Sequence, residues 1–277
     1  MPELPEVEHV VRALRRVIVG RTIVASEVRL PKLIAPLSVA TFKRRIKNAT
    51  MRGVSRRGKF ILVELDRNGA RLILAVHLRM TGKFVLLNPD DELPKHAHAI
   101  FYLDHDQRLV FRDQRQFGVM KLIDSAALSQ TRGIRELAPE PFGDEFTIEY
   151  LRALLKRSHR SLKTLLLDQT KVLGLGNIYA AEALFRAGIH PFKPADELAP
   201  RRVPQLYEAI REVLQFAVDH IRSSISLEEG FSYGAAFERF WQVYEREGEP
   251  CVKCGAKIRR ATHGGRSTYW CPKCQRR

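Results

Sequence analysis

All four cysteines of the chain fall within its last 27 residues, as Cys251, Cys254, Cys271 and Cys274. Their spacing, C-x2-C-x16-C-x2-C, narrows what this end of the chain can become. Two CxxC knuckles at the ends of a hairpin bring four thiolates to one point and suit a tetrahedral zinc ion. Gly264-Gly265 falls between the knuckles, where such a hairpin must turn, and Thr268-Tyr269-Trp270 reads as the returning strand. Two disulfides or free thiols are the alternative, but disulfides belong to oxidising compartments. Four thiolates leave no open coordination position, so the expected cofactor is one structural Zn2+ per chain.

The rest of the composition points to a polyanion. Lys and Arg number 47 against 31 Asp and Glu, giving a net charge of +16 and a pI near 10.0. An excess of this size at ordinary hydrophobic content suggests nucleic acid as partner. A membrane surface is the competitor. No apolar run approaches the roughly eighteen residues that span a bilayer, and the start of the sequence lacks the basic-then-apolar layout of a signal peptide. A soluble, intracellular protein is expected, and 277 residues suggest two or three domains.

Val7, Val10, Val11, Leu14, Val17 and Ile18 recur at helical spacing and end at Gly20. Strand-like runs follow at 23–30, 59–65, 70–78, 83–88, 98–104, 108–112 and 119–123 without intervening helices, which reads as an antiparallel sandwich or barrel. Beyond residue 135 the pattern turns helical, at 146–157, 162–168, 178–187 and 200–221, after a linker marked by Pro139, Pro141 and Gly143.

Several short segments carry chemistry. The sequence after Met1 begins Pro2-Glu3-Leu4-Pro5-Glu6. Met1 precedes a small residue, the situation in which initiator methionine is trimmed, and a free proline amine is a secondary amine that condenses with an aldehyde carbon. An α-amino group titrates near pH 8, so about a tenth of it is free base at neutral pH. The same residues also read as an ordinary helix start. Gly174-Leu175-Gly176-Asn177 joins two helices, with Asn177 at the expected cap, and reads either as a glycine turn or as a phosphate site at a helix N-terminus. Arg56-Arg57-Gly58-Lys59-Phe60 starts a strand with three cations, as a solvated edge or a phosphate contact. His77-Leu78-Arg79-Met80-Thr81-Gly82 and Asp113-Gln114-Arg115-Gln116-Phe117-Gly118 end at glycine turns. Arg115 and Phe117 read either as loop packing or as a wedge that enters a base stack when a nucleotide is flipped out.

Taken in order, PELPEVE, RRGKF, HLRMTG, DQRQFG, APEP, GLGNIYAAEALFRAGIHP, VYEREGEPC and GRSTYWCPKCQ resemble the bacterial formamidopyrimidine-DNA glycosylases, over essentially the whole chain. The resemblance implies an α+β multidomain fold: an N-terminal antiparallel β-sandwich with an N-terminal helix (1–135), a helical helix–two-turns–helix DNA-binding domain (136–228) and a C-terminal zinc-finger β-hairpin (229–277). It implies a bifunctional DNA glycosylase and AP lyase of base-excision repair, excising 8-oxoguanine and formamidopyrimidines from duplex DNA, as a monomer in the bacterial cytoplasm in association with the nucleoid. By match, Pro2 attacks C1′, Glu3 is the general acid, Glu6 assists, and Lys59 and Arg266 support elimination, which we read first as phosphate clamping. Asn177 and Arg266 match residues that hold the phosphates around the flipped nucleotide, with His77, His96, Arg115, Lys163 and Tyr244 as further DNA contacts. Met80, Arg115 and Phe117 match the trio that fills the vacated stack, Arg115 facing the orphaned cytosine.

The chain departs from the family pattern at Ala138 and Glu245, where glycine is usual, and at Ser158, where a DNA-contacting cation is usual; residues 228–237, expected to cap the damaged base, fit poorly. The sister endonuclease VIII group shares the proline chemistry and the zinc hairpin but starts PEGPE and lacks a match to DQRQFG. A noncatalytic DNA-binding protein would not need Pro2, Glu3 and Lys59 together, and a zinc hydrolase would need an open metal position.

Overall fold

The computed structural model describes residues 2–220, 225–226, 230–231 and 240–276. The chain forms two compact units. The first contains Pro2, Glu6–Arg135 and the short ladder described below as β9 and β10; the second contains Glu3–Pro5, Glu136–His220 and the described residues from 240 onward. Most of the segment expected to cap the base, all of 228–237 except Gly230-Phe231, lies outside the described residues.

Helix α1 (Leu4–Ile18), which belongs to the first unit from Glu6 onward, buries the stripe its spacing predicts, Val7, Val10, Val11, Leu14 and Ile18. The strands are β1 (Thr22–Val28), β2 (Ala49–Arg57), β3 (Phe60–Arg67), β4 (Ala70–His77), β5 (Lys83–Leu87), β6 (Ala97–Leu103), β7 (Arg108–Arg112) and β8 (Val119–Asp124), with α2 (Val39–Ile46) between β1 and β2. They form one antiparallel ladder in the order β5-β7-β6-β1-β2-β3-β4-β8. The seam between β1 and β2 is only two residue pairs long, Thr22 with Thr50 and Ile23 with Ala49, and it joins two four-stranded halves into the expected sandwich. One face of every strand shares a single core with α1 and with Phe42 and Ile46 of α2.

Strand β2 and helix α2 are absent from the sequence reading, as is the short pair β9 and β10 given below. In β2, Arg52, Arg56 and Arg57 interrupt the apolar pattern, and a register shift between Met51 and Gly53 breaks the alternation; only Ala49, Met51 and Val54 face the core. In α2, Lys43-Arg44-Arg45 separates the two inward residues, one helical turn apart. Lys59 is not in a strand: Arg57 pairs with Phe60, which makes Gly58-Lys59 the turn, with Gly58 at φ 56°. The pair β9 (Ile225–Ser226) and β10 (Gly230–Phe231) is antiparallel.

The second unit contains α3 (Ile148–Lys156), α4 (Leu162–Leu166), α5 (Asn177–Arg186) and α6 (Val203–His220), then the hairpin β11 (Arg259–His263) and β12 (Arg266–Trp270). Helix α5 is buried from Tyr179 to Phe185. Ala181 and Phe185 of α5 share a core with Val243, Cys251, Ile258, Tyr269 and Cys271. The carbonyls at the end of α5 are covered by donors: Lys253 Nζ reaches Phe185 O at 3.5 Å, Arg202 donates to Ala187 O at 2.7 Å and Gln275 to Ile189 O at 2.9 Å. The hairpin turns at Gly264 and Gly265, both left-handed with φ of 57° and 72°, as a two-residue loop between His263 and Arg266 requires. None of the described helices is long and apolar enough to cross a membrane.

Candidate active site and nucleic-acid interface

Glu3 is 2% exposed, and its carboxylate caps α5. It accepts the amides of Gly176 at 2.5 Å, Ile178 at 2.9 Å and Tyr179 at 3.3 Å. Three N–H donors at the positive end of a helix favour the ionised carboxylate. Leu4 N donates to Gly174 O at 3.1 Å. Both glycines are needed for this docking. A Cβ on Gly176 would lie 2.4 Å from Glu3 Cδ, and one on Gly174, already at φ 89°, would lie 2.5 Å from Leu4 Cδ1. These amides therefore serve the chain's own carboxylate. Asn177 is the first residue of α5 and Gly176 its cap; the capping side chain is Glu3, from the other end of the sequence.

That frees the Asn177 side chain for other work. Its Nδ2 donates to Ser267 O at 3.0 Å, and its amide also hydrogen-bonds the Tyr244 hydroxyl. Burial pushes the Tyr244 phenol up to about 12, with the charges of Glu245 and Glu3 adding to the shift against the Asn177 bond, so Tyr244 stays a protonated donor. Its ring meets Trp241 and Tyr269 edge-on at 4.9 and 5.3 Å. Glu182, buried on α5, holds the backbone beneath it by accepting the amides of Gln242, Val243 and Tyr244 at 3.0, 2.9 and 2.9 Å. Burial raises its pKa while those three bonds lower it. Sequence reasoning missed Glu182; the signal was one acid in the apolar run Ala180–Phe185.

Lys163 is buried, and its ammonium faces the hairpin, donating to Ser267 O at 2.7 Å and Thr268 Oγ1 at 2.8 Å. Burial and then the charge of Arg266 lower its pKa to about 8, against the attraction of Glu3. Arg266 itself is exposed at the head of β12 and forms no ion pair with a described residue. The four sulfurs lie within 4.8 Å of one another, with Cys251 to Cys274 at 3.9 Å and Cys254 to Cys271 at 3.5 Å. A tetrahedron with bonds of about 2.3 Å has edges of about 3.8 Å, so the donor set fits zinc, and the separations are too long for disulfides.

The first unit carries the other candidates. Pro2, Glu6 and Lys59 are all buried. His77 pairs with Phe60 across β3 and β4 and meets its ring edge-on at 4.9 Å. Burial, then the charges of Arg79 and Lys59, lower its pKa to about 3. Its Nδ1 accepts the Arg79 amide at 3.0 Å, so the neutral ring carries its proton on Nε2. The loops bearing Met80 and Arg115–Phe117 are joined by a polar staple. Asp113, 1% exposed, accepts the Thr81 hydroxyl and the Gly118 amide (2.7 Å), while Arg115 N donates to Thr81 Oγ1 at 3.0 Å. Phe111 packs where a Cβ on Gly82 or Gly118 would be, 2.8 and 2.7 Å away. On this base Met80 and Phe117 are 37% and 52% exposed, and the Arg115 guanidinium lies 4.9 Å from the Phe117 ring centroid. His96, exposed and at φ 64°, accepts the Asp113 amide on its carbonyl at 3.1 Å. Thr81 and Asp113 are the residues sequence reasoning passed over, because they support the exposed trio instead of joining it.

Comparison with known proteins agrees with this anatomy. The family model for the formamidopyrimidine-DNA glycosylase N-terminal domain matches residues 1–120, that for its H2TH domain residues 137–229, and that for the zinc finger found in FPG and IleRS residues 248–277. Formamidopyrimidine-DNA glycosylase of Pelotomaculum thermopropionicum is 44% identical, covering 100% of this chain and 99% of its own length. That of Bacillus licheniformis is 43% identical over the full length of both. The Lactococcus lactis enzyme in complex with DNA containing an abasic site superposes with a TM-score of 0.91 at 35% identity, covering 99% of this chain and 100% of that one. The three matched regions define a DNA glycosylase with H2TH and zinc-finger parts. The chain belongs to the formamidopyrimidine-DNA glycosylase family, whose members are bifunctional DNA glycosylases and AP lyases.

Two outcomes follow. Glu245 is exposed and left-handed at φ 56°, a conformation that costs a non-glycine residue about 1 kcal/mol and that suits the glycine expected here from the resemblance. Glu245→Gly is expected to raise thermal stability and, by removing a carboxylate beside Tyr244, to tighten DNA binding at low salt; a lower melting temperature contradicts this. Lys163 titrates near 8 when folded and near 10.5 when unfolded. Its buried charge is a penalty below pH 8 that is relieved as pH rises to 10.5, because the unfolded chain then holds the proton the folded one has lost. Urea unfolding of wild type against Lys163→Met should show the difference changing in favour of wild type across that window; a flat difference contradicts the shift.

Proposed function

We propose that this chain, a base-excision-repair DNA glycosylase with AP-lyase activity, excises 8-oxoguanine and formamidopyrimidines opposite cytosine, with Pro2 as nucleophile once Met1 is removed. The observation that carries the reading is the docking of Glu3, the covalent neighbour of Pro2, on the amides of α5. It fixes the backbone that bears the amine. The Pro2 lone pair forms a bond to C1′, and the electrons of the glycosidic bond leave with the base, which takes up a proton. The nitrogen lone pair then expels the ring oxygen, which takes up a proton to become a hydroxyl, and the resulting iminium ion acidifies the C2′ proton. Its loss expels the 3′ phosphate by β-elimination, and a second loss expels the 5′ phosphate by δ-elimination.

By the resemblance Glu3 is the general acid, protonating the ring oxygen or the departing base. Its three amide donors support the carboxylate that this leaves, which opposes the positive charge that develops at C1′ and on the iminium nitrogen. Glu6 is left to position water or a proton. Lys59 and Arg266 stabilise the departing phosphates as cations. Asn177, Tyr244 and the neutral Nε2–H donor of His77 hold phosphates, with His96 as an exposed neighbour; Lys163 supports the hairpin from beneath. Met80, Arg115 and Phe117 fill the vacated stack, and the guanidinium donates to the cytosine edge. The enzyme acts as a monomer on nucleoid DNA. The Lactococcus lactis relative has also been solved with DNA containing an oxidised pyrimidine, at a TM-score of 0.91, so some pyrimidine lesions belong in the substrate panel.

Borohydride trapping on an 8-oxoguanine:C duplex, with mass spectrometry of the adduct, tests the assignment. Pro2→Glu removes the secondary amine and blocks Met1 trimming. It should lose trapping while binding the duplex with little change; an adduct forming at the wild-type rate contradicts the role of Pro2.

A further inference from the structure

The turn that carries Arg266 is exposed at Gly264, Gly265 and Arg266. Side chains of the same unit hold it from both strands. On the β12 side, Ser267 O receives Lys163 Nζ at 2.7 Å and Asn177 Nδ2 at 3.0 Å. On the β11 side, His263 Nε2 lies 2.7 Å from Ser161 Oγ, the N-cap of α4. The His263 ring packs on Phe192 with centroids 4.7 Å apart. His263 and Arg266 are register partners, so Arg266 stands between the two attachments.

Ser161 Oγ is the centre of this cluster. Thr164 Oγ1 donates to Ser161 O at 2.9 Å. Ser161 Oγ accepts the Thr164 amide at 3.4 Å and lies 2.9 Å from Thr164 Oγ1. Its bond to His263 Nε2 forms with either ring tautomer, the imidazole donating in one and accepting the Ser161 proton in the other.

We propose that His263 is a positioning residue: its hydrogen bond to Ser161 latches the zinc hairpin to α4 and, with Lys163 on the other strand, presents the Arg266 guanidinium to a DNA phosphate at one fixed place. The proposal rests on the reading of Arg266 as a phosphate clamp. The residue singled out by motif is Arg266; the latch sits three positions earlier and touches no substrate.

The test measures kcat and KM for cleavage of an 8-oxoguanine:C duplex, with zinc content, for His263→Phe, His263→Gln, Arg266→Ala and the double variant His263→Phe/Arg266→Ala. Phenylalanine keeps the ring contact with Phe192 and removes the hydrogen bond to Ser161; glutamine, which can donate or accept, restores it. Loss of one hydrogen bond should raise KM about three- to ten-fold with kcat little changed, glutamine should recover most of that, and in the Arg266→Ala background His263→Phe should add nothing. If His263→Phe has no effect, if glutamine fails to rescue, or if the loss is the same with and without Arg266, the latch is overturned. Wild-type cleavage by Arg266→Ala would instead overturn the clamp reading and the latch with it. Should His263→Phe not retain zinc, Ser161→Ala removes the hydrogen bond from the other side and carries the same test.

Discussion

A carboxylate seated on a helix N-terminus organises the second unit. Glu3 supplies the cap that α5 lacks locally, and α5 in return fixes the start of the chain. The exchange is favourable on both sides, since three orphan amides gain an anion and a buried anion gains three donors. Because Glu3 does the capping, Asn177 turns outward to Ser267 and Tyr244. Glu182, further along the same helix, secures the backbone of residues 242–244, and the carbonyl end receives Lys253, Arg202 and Gln275. One ten-residue helix thus connects the N-terminal segment, the turn at Tyr244 and the cysteine knuckles.

The first unit uses the same device on a smaller scale. Asp113 is a buried acid whose acceptor sites are filled by Thr81 and Gly118, and it makes two loops into one platform. Apolar side chains then remain exposed without collapsing onto the core, which is unfavourable in water and useful only if something covers them. In the proposed function that cover is the base stack left open when the damaged nucleotide is flipped out.

Much of this was legible in the sequence because its signals are local. The spacing of Cys251, Cys254, Cys271 and Cys274 announced the metal site, the α1 stripe announced its buried face, and Gly264-Gly265 announced the turn. The supporting residues were not legible. The partner of Glu3 is 173 positions away, so Gly174–Gly176 read either as a glycine turn or as a phosphate site, and nothing local showed that the glycines admit Glu3 and Leu4. Thr81, Asp113, Glu182 and His263 are polar residues in ordinary surroundings, and their roles follow from bonds made across the fold. Strand β2 was hidden by its arginines and by a register shift, both of which erase the period-two pattern.

The proposed function requires that the Pro2 amine be positioned by the Glu3 carboxylate on α5. Gly176→Ala places a methyl group against that carboxylate and leaves Pro2, Glu3 and the cysteines unchanged. The decisive measurement is the rate of borohydride-trapped adduct on an 8-oxoguanine:C duplex, with zinc content and duplex affinity followed in parallel. The account predicts a fall in trapping of about a hundred-fold, the scale on which an ångström of misplacement acts, with zinc and affinity retained. Trapping at the wild-type rate would mean that the amine is positioned by something else.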